Sequence, residues 1–306
     1  MSVAKADSPL ERRLSVGPWL DPFQTIAALW QGPGDPQMRL TGHSAMRAMR
    51  LRSGPATLAF DRDGQDMEVR AWGPGASEAL EIAPGLIGLD DDASGLVAHH
   101  LLVADLVRRL PGLRMTRGSS VMEALVPSIL GQKVTGTEAR HGHRELLIRH
   151  GARAPGPLGL RLPPSPEKLA RMPYWAFHPL GVERRRADAI RAAAAVAPAL
   201  EQIRDLSPDE GRRRLLSVAG IGPWTAAETM RLALGDPDAV SVGDFHLPRL
   251  VGWAFARERY ADDTRMLELL EPYRGQRARV VMLLEHGGIR VERHGPRLSP
   301  RSISAI

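Results

Sequence analysis

The sequence predicts an α+β chain, with a small antiparallel sheet near the N-terminus and an all-helical remainder. Three observations predict it. Residues 46–72 alternate apolar and polar in strand fashion, as MRAMRLR, TLAFDRDG and MEVRAWG. Strand signals stop near residue 95. Beyond that point apolar residues recur at helical spacing and are punctuated by capping patterns and prolines.

Residues 1–15 read as a flexible polar leader and 16–95 as the N-terminal α+β domain, with Gly64 turning the hairpin between the last two strands. Residues 75–88 form a short helix that stops at Gly88. Residues 96–286 make a helical domain. Its first helix lies within 96–110, and Ser120-Val-Met-Glu123 has the form of a capping box opening the next, which Pro127 should kink. The proline- and glycine-rich stretch 151–167 reads as a loop. Helices follow at 167–172 and 183–200. Ser207-Pro208-Asp209-Glu210 is a second capping box with proline at the favoured first position. Further helices are expected at 223–234, 245–257, 264–271 and 276–286, before a basic, mobile tail at 287–306.

The 306 residues carry 41 Lys and Arg against 35 Asp and Glu, a net charge of +6 that favours polyanionic partners. All the basic residues except Lys5, Lys133 and Lys168 are arginine. Zero cysteines exclude disulfides, cysteine nucleophiles and iron–sulfur clusters. The N-terminus lacks a signal-peptide core and no apolar run would span a bilayer, so a cytoplasmic protein without membrane contact is expected.

The stretch 215–247, LLSVAGIGPWTAAETMRLALGDPDAVSVGDFHL, is the most informative. It reads as helix, glycine hairpin, helix, then a carboxylate opening another element. Gly220 and Gly222 flank Ile221 and permit positive φ and close approach of another molecule. Pro223 suits a first helical turn, whose free amides attract phosphate, and Thr225 adds a hydroxyl. The local pattern alone also fits a plain helix–helix corner. Asp244 has two compatible readings, a helix N-cap and a catalytic carboxylate.

GIGPWTA at 220–226 with Gly243-Asp244, and ALVPSILGQKVTGTEA at 124–139, resemble the marked motifs of the helix-hairpin-helix DNA glycosylase superfamily. More narrowly, they resemble its bacterial 3-methyladenine DNA glycosylase II branch. The resemblance covers roughly residues 18–287. It implies a helix-hairpin-helix at 208–235 within a glycosylase core of two helical subdomains. It implies phosphate contacts at Gly220, Ile221, Gly222 and Thr225, often around a monovalent cation held by the hairpin backbone, with no other cofactor required. The catalytic aspartate falls on Asp244. Trp224 stands where strand-cleaving members carry a Schiff-base lysine, which implies a monofunctional enzyme.

The same resemblance implies double-stranded DNA with damaged bases as partner, a monomer, and a bacterial, nucleoid-associated setting. Gln132 and Lys133 occupy the gap-filling motif, where an apolar leucine is common in place of the lysine. Lys133 is either that plug or a solvated surface residue. Trp224 is either a buried helix anchor or a wall of the base pocket, with Glu228 and Phe245 also at pocket positions. Glu228, where the family often has an aromatic residue, either favours a cationic base or faces water. The expected activity is hydrolysis of the N-glycosidic bond of flipped alkylated purines. Other damaged purines, or a non-catalytic damaged-DNA binder, are the alternatives. His99-His100 and His141 with His143 are poor metal sites without cysteines or a well-spaced carboxylate, His246 reads as a packing residue or a phosphate contact, and the run Arg184–Arg186 either faces phosphate or is a solvated face.

Overall fold

The computed structural model describes residues 8–118 and 120–289. Strand β1 (Leu10–Ser15) precedes helix α1 (Pro22–Ile26), then β2 (Met38–Leu40), β3 (Ser44–Leu51), β4 (Gly54–Asp63), β5 (Asp66–Trp72) and helix α2 (Ala76–Leu86). The five strands form one antiparallel sheet in the order β1-β5-β4-β3-β2. Gly64, at φ +62°, turns β4 into β5 as its position suggested. The central strand β4 is buried along Ala56–Phe60, while α2 lays Ala79, Leu80 and Ala83 on the sheet.

The leader expected at 1–15 is corrected by β1. Leu10–Ser15 pairs with β5 from Leu10↔Ala71 to Ser15↔Asp66. Only Leu14 of its six residues is buried, so the segment carries almost no apolar signal and is a strand by virtue of its partner. Its exposed Arg13, paired with Asp63 and Asp66, suits an edge strand. The basic tail lies outside the described residues from 290 onward.

Among the described residues twelve more α-helices follow: α3 (Leu101–Arg109), α4 (Val121–Leu130), α5 (Gly136–His150), α6 (Pro166–Arg171), α7 (Tyr174–Phe177), α8 (Arg184–Ala195), α9 (Ala197–Glu201), α10 (Pro208–Leu216), α11 (Pro223–Leu234), α12 (Leu247–Ala256), α13 (Asp263–Leu270) and α14 (Arg277–His286). The proline-rich stretch 151–167 is not wholly loop. β6 (Ala152–Arg153) and β7 (Arg161–Leu162) pair across it and cover the outer face of the sheet at Ala48. Helix α4 runs through Pro127 without ending.

The expected capping box at Ser120 is half formed. Ser120 Oγ accepts the Glu123 amide at 3.3 Å, but the Glu123 carboxylate turns away. It accepts from Arg47 Nη2 at 3.0 Å, Gln37 Nε2 at 2.9 Å and the Arg50 amide at 2.8 Å, all from or beside the sheet. Glu123 and Arg47 are both almost fully buried, so this ion pair clamps the sheet to α4. The first amides of α4 go instead to Glu201, which accepts from Val121 and Met122 at 3.0 Å each.

Apolar packing does not follow chain order. One large core joins the sheet, α1, α2, α4 and α8–α11. A second core joins α3 to α12, α13 and α14. The buried pair Arg279–Asp91, at 2.6 Å through both guanidinium nitrogens, fixes α14 to the link before α3. The candidate site lies where these two bodies meet.

Candidate active site and hairpin

Helix α10 opens with a complete capping box between Ser207 and Glu210, and Pro208 stands at its first turn. It closes at Ser217, and the chain turns through residues 218–222 into α11. Ile221 is buried and pins the turn to the core. Gly220 adopts φ +85°, and a Cβ there would sit 2.6 Å from that of Ala189 on α8. A side chain is therefore excluded twice over. Gly222 differs from expectation. Its backbone is extended, at φ −101° and ψ 178°, and a Cβ would meet nothing within 4 Å. Nothing among the described residues requires glycine there, whereas a molecule approaching that open side would. Pro223 has no amide to give, and Trp224 and Thr225 present theirs at the open first turn of the twelve-residue α11.

Three expected DNA contacts are modified by this geometry. The Ile221 amide donates to Val218 O at 3.1 Å, so it is engaged in the turn. Thr225 is 2 % exposed, and its hydroxyl accepts from Gln132 Nε2 at 2.8 Å, so that hydroxyl is engaged within the protein. Gln132 also donates to Gly220 O at 3.0 Å and thus braces the hairpin against the turn after α4. The amide of Gln132 thus ties the two sequence motifs together. Lys133, next in line, is exposed at φ +53°. It and Arg257 are the non-glycine residues with positive φ among the described residues, and such strain is held only where the surroundings impose it.

Trp224, Glu228 and Arg231 follow at i, i+4 and i+7 on α11 and line one side of a cavity of about 160 Å³. The loop 239–244 and α14 supply the other walls, with Ser241, Asp244 and Glu285 as the polar groups. This space resembles in size the engineered ~150 Å³ cavity that takes a benzene ring, so it admits one ring system. Trp224 is half-buried, and a Cβ at Gly131 would lie 3.3 Å from its ring, so the end of α4 backs the indole.

Asp244 is held through both of its carboxylate oxygens. Its Oδ1 accepts the His246 amide at 2.7 Å and the Leu247 amide at 3.0 Å, which braces the turn into α12, although the N-cap position itself falls on His246 and not on Asp244. Its Oδ2 accepts the indole N–H of Trp224 at 3.0 Å. Two residues past Gly222, that indole bridges the hairpin to the carboxylate. The loop is held from behind as well, since the Gly243 amide donates to Asp263 at 3.1 Å.

Glu228 neither faces bulk water nor stands free. It pairs with Arg231 at 2.7 Å and accepts the Ser241 hydroxyl in a very short bond. Phe245 is not brought into the cavity. It is 68 % exposed, with the Arg249 guanidinium 4.7 Å over its ring and His246 against its edge. The turn that aims Asp244 inward sends its neighbour outward. The sequence reading missed Arg231, Ser241 and Glu285. The helical spacing from Trp224 and Glu228 was a usable signal for Arg231, but Glu285 is a lone acid on an apolar helix and carries none.

Glu285 stands at the cavity mouth. Packing in the cleft pushes its carboxyl up to about 7 against the opposing pull of Arg231, and Glu228 and Asp244 add to the rise. The residue keeps substantial solvent contact, and water there tempers the shift. Of the arginine run, Arg186 is buried and donates to Leu130 O at 2.8 Å, while Arg184 and Arg185 are exposed. His100 caps α3 through Nδ1, and His143 is buried in the sheet-side core with its pKa lowered by that burial.

No protein-family model matches the chain. A Mycobacterium tuberculosis (strain H37Rv) protein named probable bifunctional transcriptional activator/DNA repair enzyme AlkA is 33% identical over 178 residues, which is 53% of this chain and 34% of that protein. The chain thus spans about a third of the length of the curated relatives it matches. A 3-methyladenine DNA-glycosylase from Archaeoglobus fulgidus superposes with a TM-score of 0.74 over 89% of this chain and 96% of its own, at 18% identity. The Clostridium acetobutylicum 8-oxoguanine glycosylase/lyase, solved with double-stranded DNA containing cytosine opposite 8-oxoG, gives 0.67 over 91% and 97%, at 14% identity. At such identities these two likenesses are of fold. No described helix is long and apolar enough to cross a membrane. The chain is thus similar in sequence to a protein named for DNA repair and in fold to solved DNA glycosylases.

Proposed function

We propose that the protein is a monofunctional DNA glycosylase that removes alkylated purines from double-stranded DNA. The observation that carries this is the bridge from Trp224 to Asp244, which puts a braced carboxylate at a ring-sized cavity beside an amide-lined hairpin. The hairpin would grip one strand through the amides of Gly222, Trp224 and Thr225, and the target nucleotide would leave the stack to enter the cavity. The open side of Gly222 gives that strand room. Lys133, exposed at the braced turn, would fill the vacated stack with its aliphatic stem.

In the reaction the bond from the sugar C1′ to the base nitrogen breaks, and the base leaves with the electron pair. Asp244 faces the positive charge that develops on the sugar. Its two oxygens are held by three N–H donors, so little reorganisation is needed as that charge appears. Water then adds at C1′ and loses its proton, which leaves an abasic site. Trp224 has no amine for a Schiff base, which supports hydrolysis without strand cleavage. A monovalent cation at the hairpin would rest on backbone carbonyls. Those of Val218 and Gly220 each already accept one N–H and keep a second lone pair, which fits such a role. No step of the reaction passes through it.

The test is release of free base from a methylated duplex by wild type and by Asp244→Asn. A unit charge about 4 Å from the sugar cation, at an effective dielectric of about 20, is worth about 4 kcal/mol. The variant should therefore be roughly 10³-fold slower in single turnover. Equal rates would remove Asp244 from the mechanism. Tight binding to damaged duplexes with no base released from any would instead identify a binding protein.

A further inference from the structure

We propose that Glu285 is a specificity-determining residue that selects purines carrying a positive charge, acting through its carboxylate at the mouth of the cavity. The proposal rests on the glycosylase reading and deepens it.

Three carboxyl groups line the cavity, those of Asp244, Glu228 and Glu285, against the single guanidinium of Arg231. Arg231 is spoken for by Glu228, which it meets at 2.7 Å, and that pair is close to neutral as a unit. Asp244 is assigned to the sugar, with its oxygens tied to α12 and to Trp224. Glu285 is left without a hydrogen bond or ion pair among the described residues, at the end of α14 and across the cavity from α11. Trp224 is the lone aromatic residue among those lining the space. Aromatic faces therefore contribute little cation attraction here, and a carboxylate supplies it. A purine alkylated at a ring nitrogen carries a full positive charge in DNA. An ionised Glu285 lowers the energy of that base in the pocket and does nothing for a neutral one of the same shape.

Glu285→Gln keeps the size and polarity of the side chain and deletes its charge. The measurement is the single-turnover kcat/KM for release of 7-methylguanine, cationic in DNA, and of hypoxanthine, neutral in DNA, from otherwise identical duplexes. The charge acts across a solvent-facing cavity, so the ratio of the two should fall about tenfold in the variant, with hypoxanthine release unchanged or raised. Glu285→Asp should restore most of the ratio. Affinity for a duplex bearing an abasic analogue should not change, since no base occupies the pocket. An equal loss on both substrates would make Glu285 a structural residue and overturn the assignment while leaving the glycosylase reading intact. Wild type that releases neither base would overturn both.

Discussion

The hydrogen bond from Trp224 to Asp244 invites a direct perturbation. Trp224→Phe keeps an aromatic ring against the end of α4 but removes the indole N–H. The carboxylate then retains both contacts on Oδ1, at 2.7 and 3.0 Å, and loses its donor on Oδ2. A hydrogen bond to a charged group is worth about 1.5–3 kcal/mol. If that energy is realised in the transition state, the single-turnover rate falls by roughly 10- to 100-fold. A competing effect has the opposite sign, because the indole N–H also draws charge from the oxygen that faces the sugar. Positioning should win, since without Trp224 nothing fixes Oδ2 toward the cavity. The assay is single-turnover base release at saturating enzyme, paired with affinity for an abasic-analogue duplex, which should hold within about threefold. In an Asp244→Asn background the same substitution should have almost no further effect on rate. A variant as fast as wild type, or faster, would refute the claim that this bond holds the working carboxylate.

Two further outcomes follow from the geometry. Gly220→Ala should cost about 2 kcal/mol or more of stability, because it forces a Cβ onto a positive φ and against Ala189, whereas Gly222→Ala should leave Tm nearly unchanged and weaken duplex binding about tenfold at fixed salt. Thermal melts and fluorescence anisotropy separate the two. Glu285 is raised above its ordinary range in the folded state, so its ionisation works against folding. The penalty is absent below its unfolded pKa and complete above about pH 7. After allowance for its solvent contact, Glu285→Gln should gain about 1 kcal/mol, or roughly 2 °C in Tm, at pH 8 and little at pH 4, as differential scanning calorimetry would show.

Much of the fold was legible because it is written in local pattern. The alternation through 46–72 and the turn at Gly64 specify three strands. Ser207 and Glu210 mark α10, and Pro223 marks α11. Leu10–Ser15 was illegible because its strand character comes from β5, not from its own residues. Glu123 was misread for a related reason. It stands at the spacing of a capping box, yet Arg47, seventy-six residues away, holds it better. Around the cavity, residues whose backbone or spacing sets their position were visible: Asp244, the hairpin, and Trp224 with Glu228. Side-chain commitments were not. Thr225 and Gln132 have the residue types of DNA contacts, but they spend their polar groups on each other. Phe245 depends on which way a single turn faces, and Glu285 reaches the cavity only through the packing of α14.

The order in which the chain visits its two cores has a practical corollary. It starts in the sheet, enters the second body for α3, returns for α4 through α11, and crosses again for α12 through α14. Each lobe is thus assembled from separate stretches of sequence, and no single cut yields either one whole. A protease nick in the exposed link at 92–100 would leave the pieces clasped by Arg279 and Asp91 instead of parting them. Domain dissection by truncation will therefore abolish folding before it isolates a function.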